Sequence, residues 1–414
     1  MNDITLLGKR VFSGQNLFLL ISLALGHTFM HCLQQGWYIV LPSVKESFGL
    51  NDLQYGSIES VRSASNTVVQ LPSGAVSDIL RKRWVSIIVS ALMGVALSYA
   101  ILGMAPNYST VLFAAVLIGI SIALWHPSAL SVLSARLAQR RGLALSVHGM
   151  GGNLGNAVGP AITGSVIGIV AWQAASWIMA APLVLFAILL ALLLRNMPGR
   201  EDKHVTGRQF VSALICLLKN KTILGLVITG SIRGMGTICI YSFFSLYLRE
   251  DLSFSPAKAG LYYTIMMASG IFSQPLMGYL SDRFGRKIVM VPSLLVMGVL
   301  QILLIWVGDG IGLAAVAAGI GLFIYAIGAV IQAAAMDASP EEAGATTIAL
   351  LFGSQALFTI PSPAIAGWLS GIYGIHSVFV YSGGLVLISA AILIFLPIDG
   401  KQKFSENLNS SQLG

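Results

Sequence analysis

The decapeptide GYLSDRFGRK at 278–287 decides the fold once it is set beside GAVSDILRKR at 74–83. The two stretches lie 204 residues apart, and at that shift roughly forty positions align without a gap. Lys45 meets Arg249, Glu46 meets Glu250, Gly56 meets Gly260 and Ser65 meets Ser269. Gln70 meets Gln274, Gly74 meets Gly278, Ser77 meets Ser281 and Asp78 meets Asp282. Coincident Leu and Ala are expected by chance in apolar sequence, but coincident Gln, Asp and Lys/Arg are not. The chain is therefore built from two related halves. A transporter uses such a repeat, because a site between similar halves is exposed alternately when they rock.

Outward from these loops the sequence is apolar. Of 414 residues, 56% are hydrophobic and 10% charged, against roughly 25% charged in soluble domains. A soluble enzyme, a disordered chain and a nucleic-acid binder are all disfavoured. The cysteines Cys32, Cys216 and Cys239 lack metal-site spacing and form no disulfide framework. A spanning helix needs about 20 apolar residues. Twelve candidates lie near 17–42, 54–80, 84–104, 108–134, 142–169, 173–194, 222–248, 257–280, 288–307, 311–335, 344–369 and 374–396. The expectation is an all-α polytopic membrane protein with twelve transmembrane helices in two pseudo-symmetric six-helix bundles. The N-terminal bundle covers 1–194, a polar linker 195–221, the C-terminal bundle 222–396 and a tail 397–414. The first apolar run is too long for a cleaved signal peptide.

The net charge of +8 is distributed by side. Nineteen Lys and Arg fall on the side of the termini and linker, three on the other, and Arg62 and Arg233 within spans. The positive-inside rule puts both termini and the linker in the cytoplasm of a cell inner (plasma) membrane. The charge is topogenic and points to no nucleic-acid partner.

The decapeptide at 278–287 resembles the loop signature of the major facilitator superfamily, with 74–83 as its degenerate twin. A narrower likeness is to the fosmidomycin-resistance branch of drug exporters. It rests on LGHTFMH at 25–31, WHPSA at 125–129, GLALSVHGMGGNLGNAVGP at 142–160 and SIRG at 231–234. His31 stands where that branch typically carries an acidic or amide residue, and Ser128 where it usually carries an acidic one. The resemblance implies the major facilitator fold and a cytoplasmic clasp that gates conformational change. In that clasp Asp78 faces the start of span 11 near Gly344, with Arg136 close by, and Asp282 faces the start of span 5 near Gly142. Gly74 and Gly278 would allow close helix approach, and Arg283, Gly285 and Arg286 complete the second loop. The alternative is that these are solvated loop charges. Gly151, Gly155 and Gly159 form a smooth ridge at intervals of four, followed by Pro160. The resemblance associates that element with antiporters that export; ordinary helix packing also explains it.

Ionisable groups inside spans are costly, at least ~2.5–3.5 kcal/mol each, and normally face a cavity or a partner. Arg233, near the middle of span 7, carries a permanently charged fork suited to carboxylate, phosphate or phosphonate. It is a substrate-binding candidate, or else a structural partner for Glu59. His27, His31, Gln34 and His126 join it as substrate-binding candidates. Glu59 and Arg62, at a spacing of three on span 2, form a structural ion pair or handle protons. Glu59 is the one carboxylate placed within a span. His27 and His31 are reserve proton-coupling candidates, because imidazole titrates near neutrality. Their i, i+4 spacing also suits a metal, but no third ligand is evident, so no metal is expected. His126 and His148 are placed at similar depths on spans 4 and 5.

These residues point to a secondary active transporter, with protons, a small-molecule solute and the lipid bilayer as partners, acting as a monomer. Export in exchange for protons is the leading reading. A proton-coupled importer is the alternative, and a membrane sensor on a transporter fold the rival from another class. There is no Gly-x-x-x-x-Gly-Lys-Ser/Thr motif, and no cofactor or enzymatic activity is expected.

Overall fold

The computed structural model describes residues 5–6, 9–10, 14–79, 83–194, 217–339 and 344–398; side chains are described from 14 to 70, 83 to 194, 217 to 339 and 346 to 398. Apart from a two-residue antiparallel pairing of Thr5–Leu6 with Lys9–Arg10, the described chain is helical. In order the helices are α1 Gly14–Phe48, α2 Asp52–Ile79, α3 Trp84–Gly103, α4 Tyr108–Arg136, α5 Arg141–Ile167 and α6 Trp172–Leu194. There follow α7 Lys221–Glu250, α8 Pro256–Phe284, α9 Arg286–Leu303 and α10 Ile311–Asp337. The last three are α11 Gly344–Thr359, α12 Ser362–Tyr373 and α13 His376–Phe395.

Among the described residues nine segments are long and apolar enough to cross a membrane. The expected spans on α2, α5 and α8 fall outside that set, because Gly, Ser and ionisable residues interrupt their apolar runs. The protein is an all-α polytopic membrane protein. Its outer faces carry large apolar side chains that no aqueous surface would favour: Leu185, Leu189 and Leu192 on α6, Phe272 and Leu276 on α8, and Val296 and Val299 on α9 are exposed.

Local chemistry sets the helix ends. Asn51 and Gln54 bond reciprocally, Asn51 N–H to Gln54 Oε1 at 3.0 Å and Gln54 N–H to Asn51 Oδ1 at 2.8 Å, opening α2. Asn220 caps α7 by accepting from the Thr222 and Ile223 amides. Gly285 separates α8 from α9 with φ of +100°, a conformation that disfavours any side chain, which explains the glycine in GYLSDRFGRK. The span expected at 344–369 is found as one apolar segment, Thr346–Tyr373, in which the helix is interrupted between α11 and α12. Pro361 and Pro363 supply no amide hydrogen there.

Two compact units are formed. One comprises Met1–Leu50, Val61–His204 and Ser253–Thr264; the other comprises Asn51–Ser60, Val205–Leu252 and Ile265–Gly414. The sequence repeat groups 51–60 with the first half and 253–264 with the second; the compact units exchange these two segments. In the first unit, Gly260 sits against the Pro160 carbonyl, where a Cβ would overlap it. In the second, Gly56 sits in the same way against the Pro363 carbonyl. Gly56 and Gly260 are repeat partners, so the same close approach occurs once in each unit.

The glycine ridge has a defined partner within the first unit. A Cβ on Gly151, Gly155 or Gly159 would overlap the backbone carbonyls of Ala24, Thr28 and Cys32 respectively. Those three are also spaced by four, so α1 and α5 meet backbone to backbone over two turns.

Candidate functional site

In the second unit, Arg233 is buried in the middle of α7. Its Nη1 donates to the Ile324 carbonyl of α10 at 3.2 Å, and its Nε has no hydrogen-bond partner. Among the described residues no carboxylate lies within ion-pair distance of it. The structural pairing with Glu59 is therefore not formed. The guanidinium lines a narrow cleft with Gly230, Gly328, Gln332, Phe352 and Gln355. Gly328 keeps the wall low, since a Cβ there would lie 3.4 Å from Arg233 Nη2. A buried, always-charged group with a free donor and no counter-ion can take a planar anion. Sequence reading missed Gln332 and Gln355, because neutral amides on α10 and α11 signal nothing until they are seen facing Arg233.

Glu59 also belongs to the second unit and is fully buried. It lies within electrostatic range of Tyr55 and Cys239. Tyr55 Oη donates to the Ser242 carbonyl at 2.7 Å, tying the start of α2 to α7. Arg62 belongs to the first unit, where its Nη2 donates to Tyr38 Oη at 2.8 Å and its guanidinium lies 5.6 Å from that ring centre. Tyr38 in turn stacks on Tyr263 at 6.2 Å.

The remaining candidates gather in the first unit, where α1, α4 and α5 meet. His27 Nδ1 bonds to the His148 carbonyl at 2.8 Å, and His31 Nδ1 to Asn156 Oδ1 at 2.8 Å. His126 Nδ1 faces the Ile122 carbonyl at 3.3 Å. His126 Nε2 is 3.3 Å from His27 Nε2 and 3.4 Å from His31 Nε2. His148 stacks flat on His27, ring centres 4.1 Å apart. Gln34 Oε1 is buried without a partner, while Gln35 Nε2 donates to Asn156 Oδ1 at 3.1 Å. Arg233 belongs to the second unit and the histidine cluster to the first.

In the second loop, Asp282 pairs with Arg286 at 2.6 Å, and Arg286 Nε reaches Asp337 at 2.9 Å, tying the start of α9 to the end of α10. Asp337 was not singled out in the sequence, because a lone acid at a helix end carries no pattern. Arg283 is exposed and donates to Tyr279 Oη. Among the described residues, a Cβ at Gly278 would meet nothing within 4 Å. Arg136 is half-buried at the end of α4. Gly74 and Asp78 lie on α2, but their side chains fall outside the described residues, as do those of Gly344 and Ala345. The linker residues 195–216 and the tail from 399 onward also lie outside them.

The model for the Major Facilitator Superfamily matches residues 23–237 and 226–410. The uncharacterized MFS-type transporter YfnC of Bacillus subtilis (strain 168) is 27% identical over 355 residues, covering 84% of this chain and 86% of that protein. The fosmidomycin resistance protein of Escherichia coli (strain K12) is 23% identical over 280 residues, covering 66% and 67%. A solved bacterial homologue of the human lysosomal transporter Spinster superposes with a TM-score of 0.77 at 16% identity, covering 93% of this chain and 97% of that one. Together with twelve expected spans, a repeated loop signature and a helical fold shared with solved transporters, this makes the chain a member of the Major Facilitator Superfamily.

Proposed function

We propose that the chain is a secondary active exporter of the inner membrane, moving a small anionic organic solute outward in exchange for protons. Arg233 carries this reading. A guanidinium buried beside Gln332 and Gln355 in a cleft otherwise lined by Gly, Ile331, Leu351 and Phe352, with an unpartnered Nε and no carboxylate at ion-pair distance among the described residues, lacks the anion its charge requires. The solute supplies that anion. Export is supported by the glycine ridge ending in Pro160 and by the likeness to a relative named for drug resistance. Glu59, a fully buried carboxylate, is the proton carrier. The loops around Asp78 and Asp282 gate the cytoplasmic side. Gly74 and Arg136 support the first loop, while Arg283, Gly285 and Arg286 with Asp337 support the second. The halves 1–194 and 222–396 move about the cytoplasmic linker 195–221, with both termini cytoplasmic and the chain monomeric.

The test is binding to purified protein, measured with a panel of anionic, cationic and neutral compounds. Arg233→Lys keeps the charge and loses the fork, so anion binding weakens; Arg233→Ala nearly eliminates it. Preference for lipophilic cations, or full anion binding by Arg233→Ala, returns Arg233 to a structural role.

A further inference from the structure

His27, His31 and His126 form an arrangement that neutral imidazoles do not adopt without a reason. A neutral imidazole carries one N–H and one lone pair, and the partner of one nitrogen fixes the state of the other. The His148 and Ile122 carbonyls only accept, so Nδ1 of His27 and of His126 must hold the hydrogen. Asn156 Oδ1 accepts from Gln35 Nε2, whose Oε1 in turn accepts from Tyr263 Oη–H, and the same Oδ1 accepts the hydrogen on His31 Nδ1. Each Nε2 is thereby left with a bare lone pair. Yet these three nitrogens converge, His126 Nε2 lying 3.3 Å and 3.4 Å from the other two. No hydrogen lies between them to make the contact attractive.

One kind of ligand satisfies all three lone pairs. Imidazole nitrogens bind zinc at 2.0–2.1 Å, so two of them on one tetrahedral ion stand about 3.3–3.4 Å apart. The ring planes are steeply inclined to one another, 73° for His27–His31, 81° for His27–His126 and 80° for His31–His126. That geometry lets in-plane lone pairs meet at a point. All three donor atoms lie within 4.8 Å of one another. The outer partners are those of a metal site, where each ligating histidine gives its other N–H to a carbonyl or carboxylate oxygen.

We propose that His27, His31 and His126 bind one divalent d-block cation of the zinc class through Nε2, with a fourth position open to an exogenous donor. The expectation of no metal rested on the missing third ligand, and His126, 95 residues from His31, supplies it. His148 is not a ligand: its ring lies parallel to His27, interplanar angle 7°, so its lone pairs cannot share that point. It is a positioning residue, holding His27 by ring stacking and by its carbonyl. Asn156 positions His31 in the same sense. Gly152 leaves room for the first ligand, since a Cβ there would lie 2.6 Å from His27 Cε1. His31 and His126 are half-buried rather than sealed, which leaves a path for the ion and its fourth donor. Three neutral nitrogens leave the bound ion its full double charge, so the fourth donor is anionic: hydroxide or an acidic group of the solute.

The test uses the full chain, purified in detergent with a tag free of histidine, stripped with chelator and titrated with Co²⁺ and then Zn²⁺. The expected result is one Co²⁺ per chain with the visible bands of a four-coordinate ion, displaced by Zn²⁺. His126→Ala or His31→Ala should remove the bands. Asn156→Ala, which keeps all three imidazoles, should weaken binding by about 10–100-fold. Monodisperse elution reports that each variant is folded, and Asn156→Ala decides the matter if the histidine variants are not. No Co²⁺ bands in the wild type, or unchanged affinity in the folded variants, overturns the site.

Discussion

Gly155→Ala tests the backbone contact between α1 and α5 on which the histidine cluster is built. A Cβ at Gly155 would lie 2.9 Å from His31 Cβ and 3.0 Å from Cys32 N, and would overlap the Thr28 carbonyl outright. Ordinary Cβ contacts begin near 3.4 Å, and here two of the three obstacles are backbone, which no rotamer change can move. The helices must part, at the ~1–3 kcal/mol typical of overpacking. Alanine in a helix interior also gains ~0.5–1 kcal/mol over glycine. Gly149→Ala, on the same helix with nothing within 4 Å, measures that gain alone. The comparison of the two variants therefore isolates the overlap. Thermal unfolding in detergent should show Gly155→Ala melting several degrees below Gly149→Ala, with a shift of ~2–4 °C for each kcal/mol in domains of 150–250 residues. Equal melting temperatures would refute the close contact and the register of α1 on α5.

Two further outcomes follow from the proton and gate assignments. Glu59→Gln should abolish solute accumulation driven by a pH gradient while leaving downhill exchange, measured with labelled solute in liposomes; undiminished accumulation places the coupling elsewhere. Asp282→Asn removes the acid that pairs with Arg286, and should lower transport and raise labelling of cysteines engineered on the cytoplasmic side, with insertion unchanged. Normal transport with unchanged labelling shows that the pair is only a surface ion pair, worth a few tenths to ~1 kcal/mol.

The fold was legible because its signals are local or repeated. Apolar runs, sided Lys and Arg, and two copies of one loop need no three-dimensional knowledge. Gly285 could be read as a turn residue and the ridge at 151–159 as a close-packing face from spacing alone. The partner of that ridge could not, since Ala24, Thr28 and Cys32 carry no pattern that marks them. The break after Thr359 was overlooked because hydropathy continues across it while the hydrogen-bond ladder does not. At the sites, single residues were found and their company was missed. His27 and His31 announce a shared face, but only the packing of α4 and α5 on α1 brings His126 and Asn156 to them. Arg233 stood out as a buried charge, and Glu59 was its obvious partner in a list of residues. The structure places them without an ion pair, which leaves Arg233 available for the anion-binding role proposed above.

The most direct test of the central claim is solute-driven proton movement in liposomes that hold the purified protein and a pH-sensitive dye. The account predicts that small organic anions, added to the cytoplasmic face, drive a saturable proton flux in the opposite direction, and that Arg233→Ala abolishes it. Proton flux driven by lipophilic cations and not by anions, or undiminished anion-driven flux with Arg233→Ala, would contradict it.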